Sequence, residues 1–85
     1  MAKTFFPVDF IMVDATRDYD DFKVEYKVSY GHEKWHDGKH RDVYKVQMVY
    51  DGTVNGRQSP SFPSGTDDME RVYDALRRLK EIHGG

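Results

Sequence analysis

Phe22-Lys23-Val24-Glu25-Tyr26-Lys27-Val28-Ser29-Tyr30 and, further on, Val43-Tyr44-Lys45-Val46-Gln47-Met48-Val49-Tyr50 decide the fold of this chain. In the first run Phe22, Val24, Tyr26, Val28 and Tyr30 alternate with Lys23, Glu25, Lys27 and Ser29. A period of two sustained over a whole segment is the signature of a half-buried strand. The second run repeats it more loosely, with Tyr44, Val46, Met48 and Tyr50 opposed to Val43, Lys45, Gln47 and Val49.

The residues between the runs set their register. A three-residue loop His36-Asp37-Gly38, with Gly38 left-handed as in a type I turn plus G1 bulge, pairs Trp35 with Lys39. Tyr30 then faces Tyr44, Val28 faces Val46, Tyr26 faces Met48 and Val24 faces Tyr50. Glu33 meets Arg41 and His32 meets Asp42, both favourable cross-strand pairs. A two-residue Asp37-Gly38 turn would set Tyr30 against Lys45 and Val28 against Gln47, turning the apolar set to the wrong face. The pattern predicts one long hairpin.

Upstream, residues 5–13 read as a strand. Phe6, Val8, Phe10 and Met12 share one face; Phe5, Pro7, Ile11 and Val13 share the other, broken by Asp9. Pro7 cannot donate to a ladder, which marks an edge strand or a strand start. Residues 14–21 form a polar connection. Downstream, Asp51-Gly52 and Asn55-Gly56 are turn signals, and a short fourth strand is expected around 53–59. The loop Ser59–Gly65 carries Pro60 and Pro63, and Phe62 is placed to plug the seam between sheet and helix.

The helix, about 67–83, is capped by Thr66 or Asp67, and Asp67 with Glu70 fits a capping box. Acidic residues crowd its first turn and Arg77, Arg78 and Lys80 lie near its end, which suits the helix dipole. Met69, Val72, Ala75, Leu76, Leu79 and His83 form one stripe. The predicted fold is α+β and a single domain over 1–85. It is an antiparallel three- to four-stranded meander sheet (about 5–13, 22–35, 39–50 and 53–59) with one C-terminal amphipathic helix on one face.

Composition bounds the function. The chain has no cysteine, which excludes disulfides and thiolate chemistry and favours a reducing compartment. Asp9 interrupts the apolar start too early for a signal peptide, and no segment approaches the ~20 apolar residues of a membrane span. A cytoplasmic protein is expected. Net charge is −2, so there is no global attraction to polyanions. Cationic surface concentrates in residues 23–57.

Motifs of nucleotide binding, serine hydrolysis and zinc proteolysis are missing, and no small-molecule substrate or cofactor is implied. Asp67-Asp68 and Asp20-Asp21 are paired carboxylates explained by a helix cap and a turn. His32, His36 and His40 recur every four residues, a metal-binding pattern on a helix. The hairpin instead places them on a polar tip.

Two surfaces stand out. The alternation that defines the core forces Lys23, Lys27, Lys39, Arg41 and Lys45 onto the opposite face, and Trp35 joins them by the same parity. Cations that track phosphates beside a ring that stacks on a base describe a binding surface for single-stranded nucleic acid. The same arrangement of sheet and helix occurs in single-strand DNA-binding coactivator domains, an analogy of fold alone. Second, the residues 5–13 are apolar on both faces. Phe5, Ile11 and Val13 need a cover, which a homodimer or the loop around Pro60–Pro63 with Tyr19 would supply.

Overall fold

A computed structural model describes residues 4–16 and 23–84; Tyr19, Asp20, Asp21 and Phe22 lie outside the described residues. The elements are β1 (Phe5–Asp14), β2 (Val24–Lys34), β3 (His40–Tyr50), β4 (Thr53–Asn55) and α1 (Asp68–His83). The strands form one antiparallel sheet in the order β1-β2-β3-β4.

The central hairpin has the register that the alternation demands: Val24↔Tyr50, Tyr26↔Met48, Val28↔Val46 and Tyr30↔Tyr44. Gly38 holds φ 79°, a left-handed conformation that costs a glycine little. The Trp35 N–H donates to Lys39 O at 3.0 Å and the Gly38 N–H to Trp35 O at 2.9 Å, closing the loop. Asp37 accepts the Lys39 N–H at 3.0 Å and fixes the turn from its side chain. Between β3 and β4, Asp51 and Gly52 both have positive φ, the requirement of a tight type I′ turn.

β1 departs from simple alternation. Pro7 pairs with Gly31 and Asp9 with Tyr30, which leaves Val8 as the extra residue of a bulge. Pro7 has no N–H to give, and the ladder slips at this point. The slip exchanges the faces. Val13 joins the core and Ile11 packs against it, whereas Phe10 lies under Lys27 and Phe5 under Lys45 on the other side of the sheet. Phe10 and Met12, expected to share a face with Phe6 and Val8, therefore lie on the outer side, and Ile11 and Val13 pack on the helix side instead, where Phe6, paired with His32, remains. Gly31 makes the crossing possible, because a Cβ there would stand 2.4 Å from the Phe6 carbonyl oxygen.

The core joins Val13, Val24, Tyr26, Val28 and Met48 of the sheet to Val72, Ala75 and Leu79 of α1. Met69, expected on this stripe, is 58 % exposed, and Leu76 is only half-buried. The cause is Asp68. It is fully buried, and it accepts hydrogen bonds from the Thr16 N–H at 2.9 Å, the Thr16 hydroxyl, the Tyr26 hydroxyl at 2.8 Å and Arg71 Nη2 at 2.7 Å. Pulling Asp68 inward turns Asp68, Val72, Ala75 and Leu79 to the sheet and Met69 away from it. Burial alone would raise the Asp68 pKa. The bonds from Thr16 and Tyr26 and the Arg71 charge outweigh burial and hold it at about 2.

The capping box does not form. Asp67 makes no side-chain cap; its carboxylate takes Arg71 Nε at 3.1 Å, while the Thr66 hydroxyl accepts the Asp68 N–H at 3.4 Å. The helix ends on left-handed Gly84, whose N–H donates to Lys80 O. Phe62, expected to plug the seam between sheet and helix, has its ring 5.2 Å from that of Tyr26 but stays exposed. Among the described residues no helix is long and apolar enough to cross a membrane.

Candidate nucleic-acid interface

α1 packs on β1 and β2, all on one side of the sheet. The other side carries Phe5, Phe10 and Met12 from β1, Lys27 and Glu33 from β2, Arg41, Lys45 and Val49 from β3, and Val54 from β4, by ladder register. Among the described residues no second layer of secondary structure lies on it.

Two aromatic–cation couples mark its ends. Lys27 Nζ lies 4.7 Å from the centroid of the Phe10 ring, which is 51 % exposed. Arg41 Cζ lies 4.4 Å from the Trp35 ring, which is 47 % exposed. Phe10 is paired with Ser29, and Trp35 follows six residues later on the same chain segment. At ~3.3 Å per residue the couples stand ~20 Å apart. Between them Lys45 covers Phe5, with Nζ 4.8 Å from its ring centroid.

Carboxylates temper this face. Arg41 forks onto Asp37, with Nη1 to Oδ1 at 3.1 Å and Nη2 to Oδ2 at 2.9 Å. Lys45 is hydrogen-bonded to Glu33, whose other oxygen accepts the Trp35 indole N–H at 3.1 Å. Lys23 stands 3.3 Å from Asp14 and 3.9 Å from Glu25. The bond from Lys45 holds the Glu33 carboxyl below its usual range, and the bond from Arg41 does the same for Asp37. Lys27 and Lys39 have no carboxylate within ion-pair distance among the described residues. Glu33 and Arg41 face each other as expected, but their ion pairs form elsewhere, because Asp37 in the turn reaches Arg41 and leaves Glu33 to Lys45. Of the six residues read from the sequence as a phosphate-tracking set, Lys27, Trp35, Arg41 and Lys45 share this face, spread along its length. Lys23 is tied to its border and Lys39 lies beside the turn. Phe10 is the member the sequence reading missed; the signal was Pro7, whose missing donor forces the bulge.

The tip adds a concavity of about 970 Å³ lined by Thr4, Phe6, Glu33, Lys34, Trp35, His36 and His40. His32 meets Asp42 at 2.7 Å as the register requires, and His40 stacks on Phe6 at 6.4 Å. His36 is exposed in the turn. His32 and His40 thus have different partners, and among the described residues the three histidines share none.

Phe5, Ile11 and Val13, the expected self-association set, do not share a surface. Phe5 is buried on the outer face, and Ile11 and Val13 belong to the core side. The free edge of β1 is guarded. Pro7 offers no donor, Val8 bulges, and Asp9 Oδ1 accepts the Phe10 N–H at 2.8 Å, while Asp9 Oδ2 lies 3.1 Å from His83 Nε2. These are recognised devices against edge-to-edge pairing.

No protein-family model, curated protein or solved structure matches this chain.

Proposed function

We propose that this protein is a small binding module that holds single-stranded nucleic acid on the open face of its sheet. The observation that carries the reading is the pair of exposed aromatic–cation couples, Phe10–Lys27 and Trp35–Arg41, on a face without a second layer among the described residues. Each ring is a stacking platform for a base, worth ~1–3 kcal/mol, and each cation stands where a neighbouring phosphate would pass. Lys27 and Lys39 are available to phosphates at once, while Arg41 and Lys45 must exchange Asp37 and Glu33 for them. Exposed ion pairs contribute only ~0–1 kcal/mol, so the Arg41–Asp37 exchange is cheap; Lys45–Glu33 is partly buried and costs more to open, and both exchanges leave a carboxylate near the strand. Affinity is therefore micromolar or weaker at moderate salt. With about two to three phosphates neutralised, binding falls roughly tenfold between about 50 and 200 mM salt.

Titration of a labelled oligonucleotide across that salt range tests this. The Lys27→Ala, Lys39→Ala double variant removes two cations that have no carboxylate partner among the described residues and should flatten the salt dependence. Absence of binding at low salt refutes the reading, and binding unchanged in the variant places the site elsewhere.

A second reading, self-association through the same face, is favoured by the exposure of Met12 beside Phe10 on β1 and of Val54 at the opposite edge, on β4. It predicts a dimer in sedimentation at high micromolar concentration that Phe10→Lys abolishes.

A further inference from the structure

A helix with its side chains is about 10–12 Å across and strands lie ~4.8 Å apart, so one helix shields about two strands. α1 spends its width on β1 and β2 and leaves the inner side of β3 half open. The shoulder beside it is a groove of about 430 Å³, lined by Tyr44 of β3 and by Tyr73, Leu76, Arg77 and Lys80 of α1. It lies across the sheet from the Phe10 and Trp35 face and owes nothing to the nucleic-acid reading.

We propose that this groove binds a small flat aromatic anion, a ring bearing one carboxylate or phosphate monoester. Four features select that chemistry. The volume falls within the ~300–1,000 Å³ usual for small-molecule sites. The walls are two tyrosine rings and a leucine, with Tyr73 62 % exposed on the helix, so a planar apolar body gains by stacking. The charged lining is cationic, Arg77 and Lys80, with no carboxylate among the lining residues. Arg77 has Asp74 at 3.6 Å as its one ion-pair partner among the described residues, and both are more than half exposed, a pair that a ligand anion replaces at little cost. Lastly, Tyr44 lines the groove and its hydroxyl is buried without a hydrogen-bond partner, an unmet polar group that a small turn of the ring would offer to a ligand oxygen. Two cations match one anionic group; a polyanion would find no further charge here.

The test is an NMR titration of the isotope-labelled full chain with 2-naphthoate and with 1-naphthyl phosphate, each compared with neutral 2-naphthamide. Either anion should shift the amides of Tyr44, Tyr73, Leu76, Arg77 and Lys80 and saturate near millimolar concentration, and the tighter of the two names the anionic group. The amide should bind at least threefold more weakly. Arg77→Gln with Lys80→Gln should weaken the anions roughly three- to tenfold, as two exposed ion pairs allow. Tyr44→Phe should weaken them about threefold. The thermal melt of each variant shows that the fold is intact. Equal affinity for the amide, shifts confined to Phe10 and Trp35, or no shifts up to the solubility limit would each overturn the proposal. Only the second of these would speak to the sheet face.

Discussion

Replacing Asp68 by Asn keeps the size of the side chain and removes its charge, so it isolates what the buried carboxylate does. Asp68 is fully buried and receives four donors from three residues that lie on α1, on β2 and just after β1. An amide can accept from some of them, but its own NH2 then confronts the Arg71 guanidinium or the Tyr26 hydroxyl. Hydrogen bonds to a charged acceptor contribute ~1.5–3 kcal/mol each, and breaking one side of a buried pair costs ~3–5 kcal/mol. Arg71 keeps Asp67 and the Asp14 carbonyl as partners, at 3.1 and 2.7 Å, which places Asp68→Asn at the low end, ~2–3 kcal/mol.

The same figure follows from protonation. The carboxyl sits at about 2 in the folded protein against an ordinary 3.8. A separation of roughly two units at 1.36 kcal/mol per unit is on the order of 2 kcal/mol. Because the folded pKa is the lower, this stability is present above pH ~4 and is lost as pH falls from ~4 to ~2. Urea denaturation at neutral pH and near pH 2.5 should show the wild type losing more stability on acidification than Asp68→Asn, which still carries Glu33 and Asp37. A loss under ~1 kcal/mol at neutral pH, or identical acid losses in the two proteins, would refute the assignment of Asp68 as the tether of α1.

Other substitutions probe the packing. Leu79→Ala should cost ~2–5 kcal/mol by denaturation and Leu76→Ala clearly less, because Leu79 is fully buried and Leu76 lies at the open shoulder. Equal costs would mean that α1 is rotated from the position described. Gly31→Ala should destabilise by ~1–3 kcal/mol and speed amide exchange along β1, since the added methyl meets Phe6 and Pro7 backbone rather than a movable side chain. His83→Ala removes a ring stacked on Tyr30 at 4.4 Å and the contact with Asp9. It should fray the last turn of α1 in hydrogen exchange and leave the hairpin unaffected.

The hairpin and the helix were legible in the sequence because each is specified by short-range periodicity. Register follows once Gly38 is given the left-handed position, and the alternation permits no other choice for Tyr26, Val28, Val46 and Met48. The faces of β1 were not legible in the same way. Phe5 to Val13 is apolar at nearly every position, so either parity buries an acceptable set, and the bulge at Val8 is decided by Pro7 meeting Gly31 on another strand. Asp68 looked like half of a helix cap because its donors, Thr16 and Tyr26, are 52 and 42 residues away. Charge pairing on the outer face was half legible. His32–Asp42 follows from register, but Glu33–Lys45 and Asp37–Arg41 depend on side-chain reach across a diagonal and into a turn.

Trp35 is the only tryptophan and stands at one end of the proposed interface, so its fluorescence reports on that face directly. Titration of the wild-type protein with an unlabelled single-stranded oligonucleotide at low and moderate salt should quench Trp35 to saturation. The midpoint should move to roughly tenfold higher concentration as salt rises from about 50 to 200 mM. Unchanged Trp35 emission at low salt, with strand present at high micromolar concentration, would contradict the account of the open sheet face.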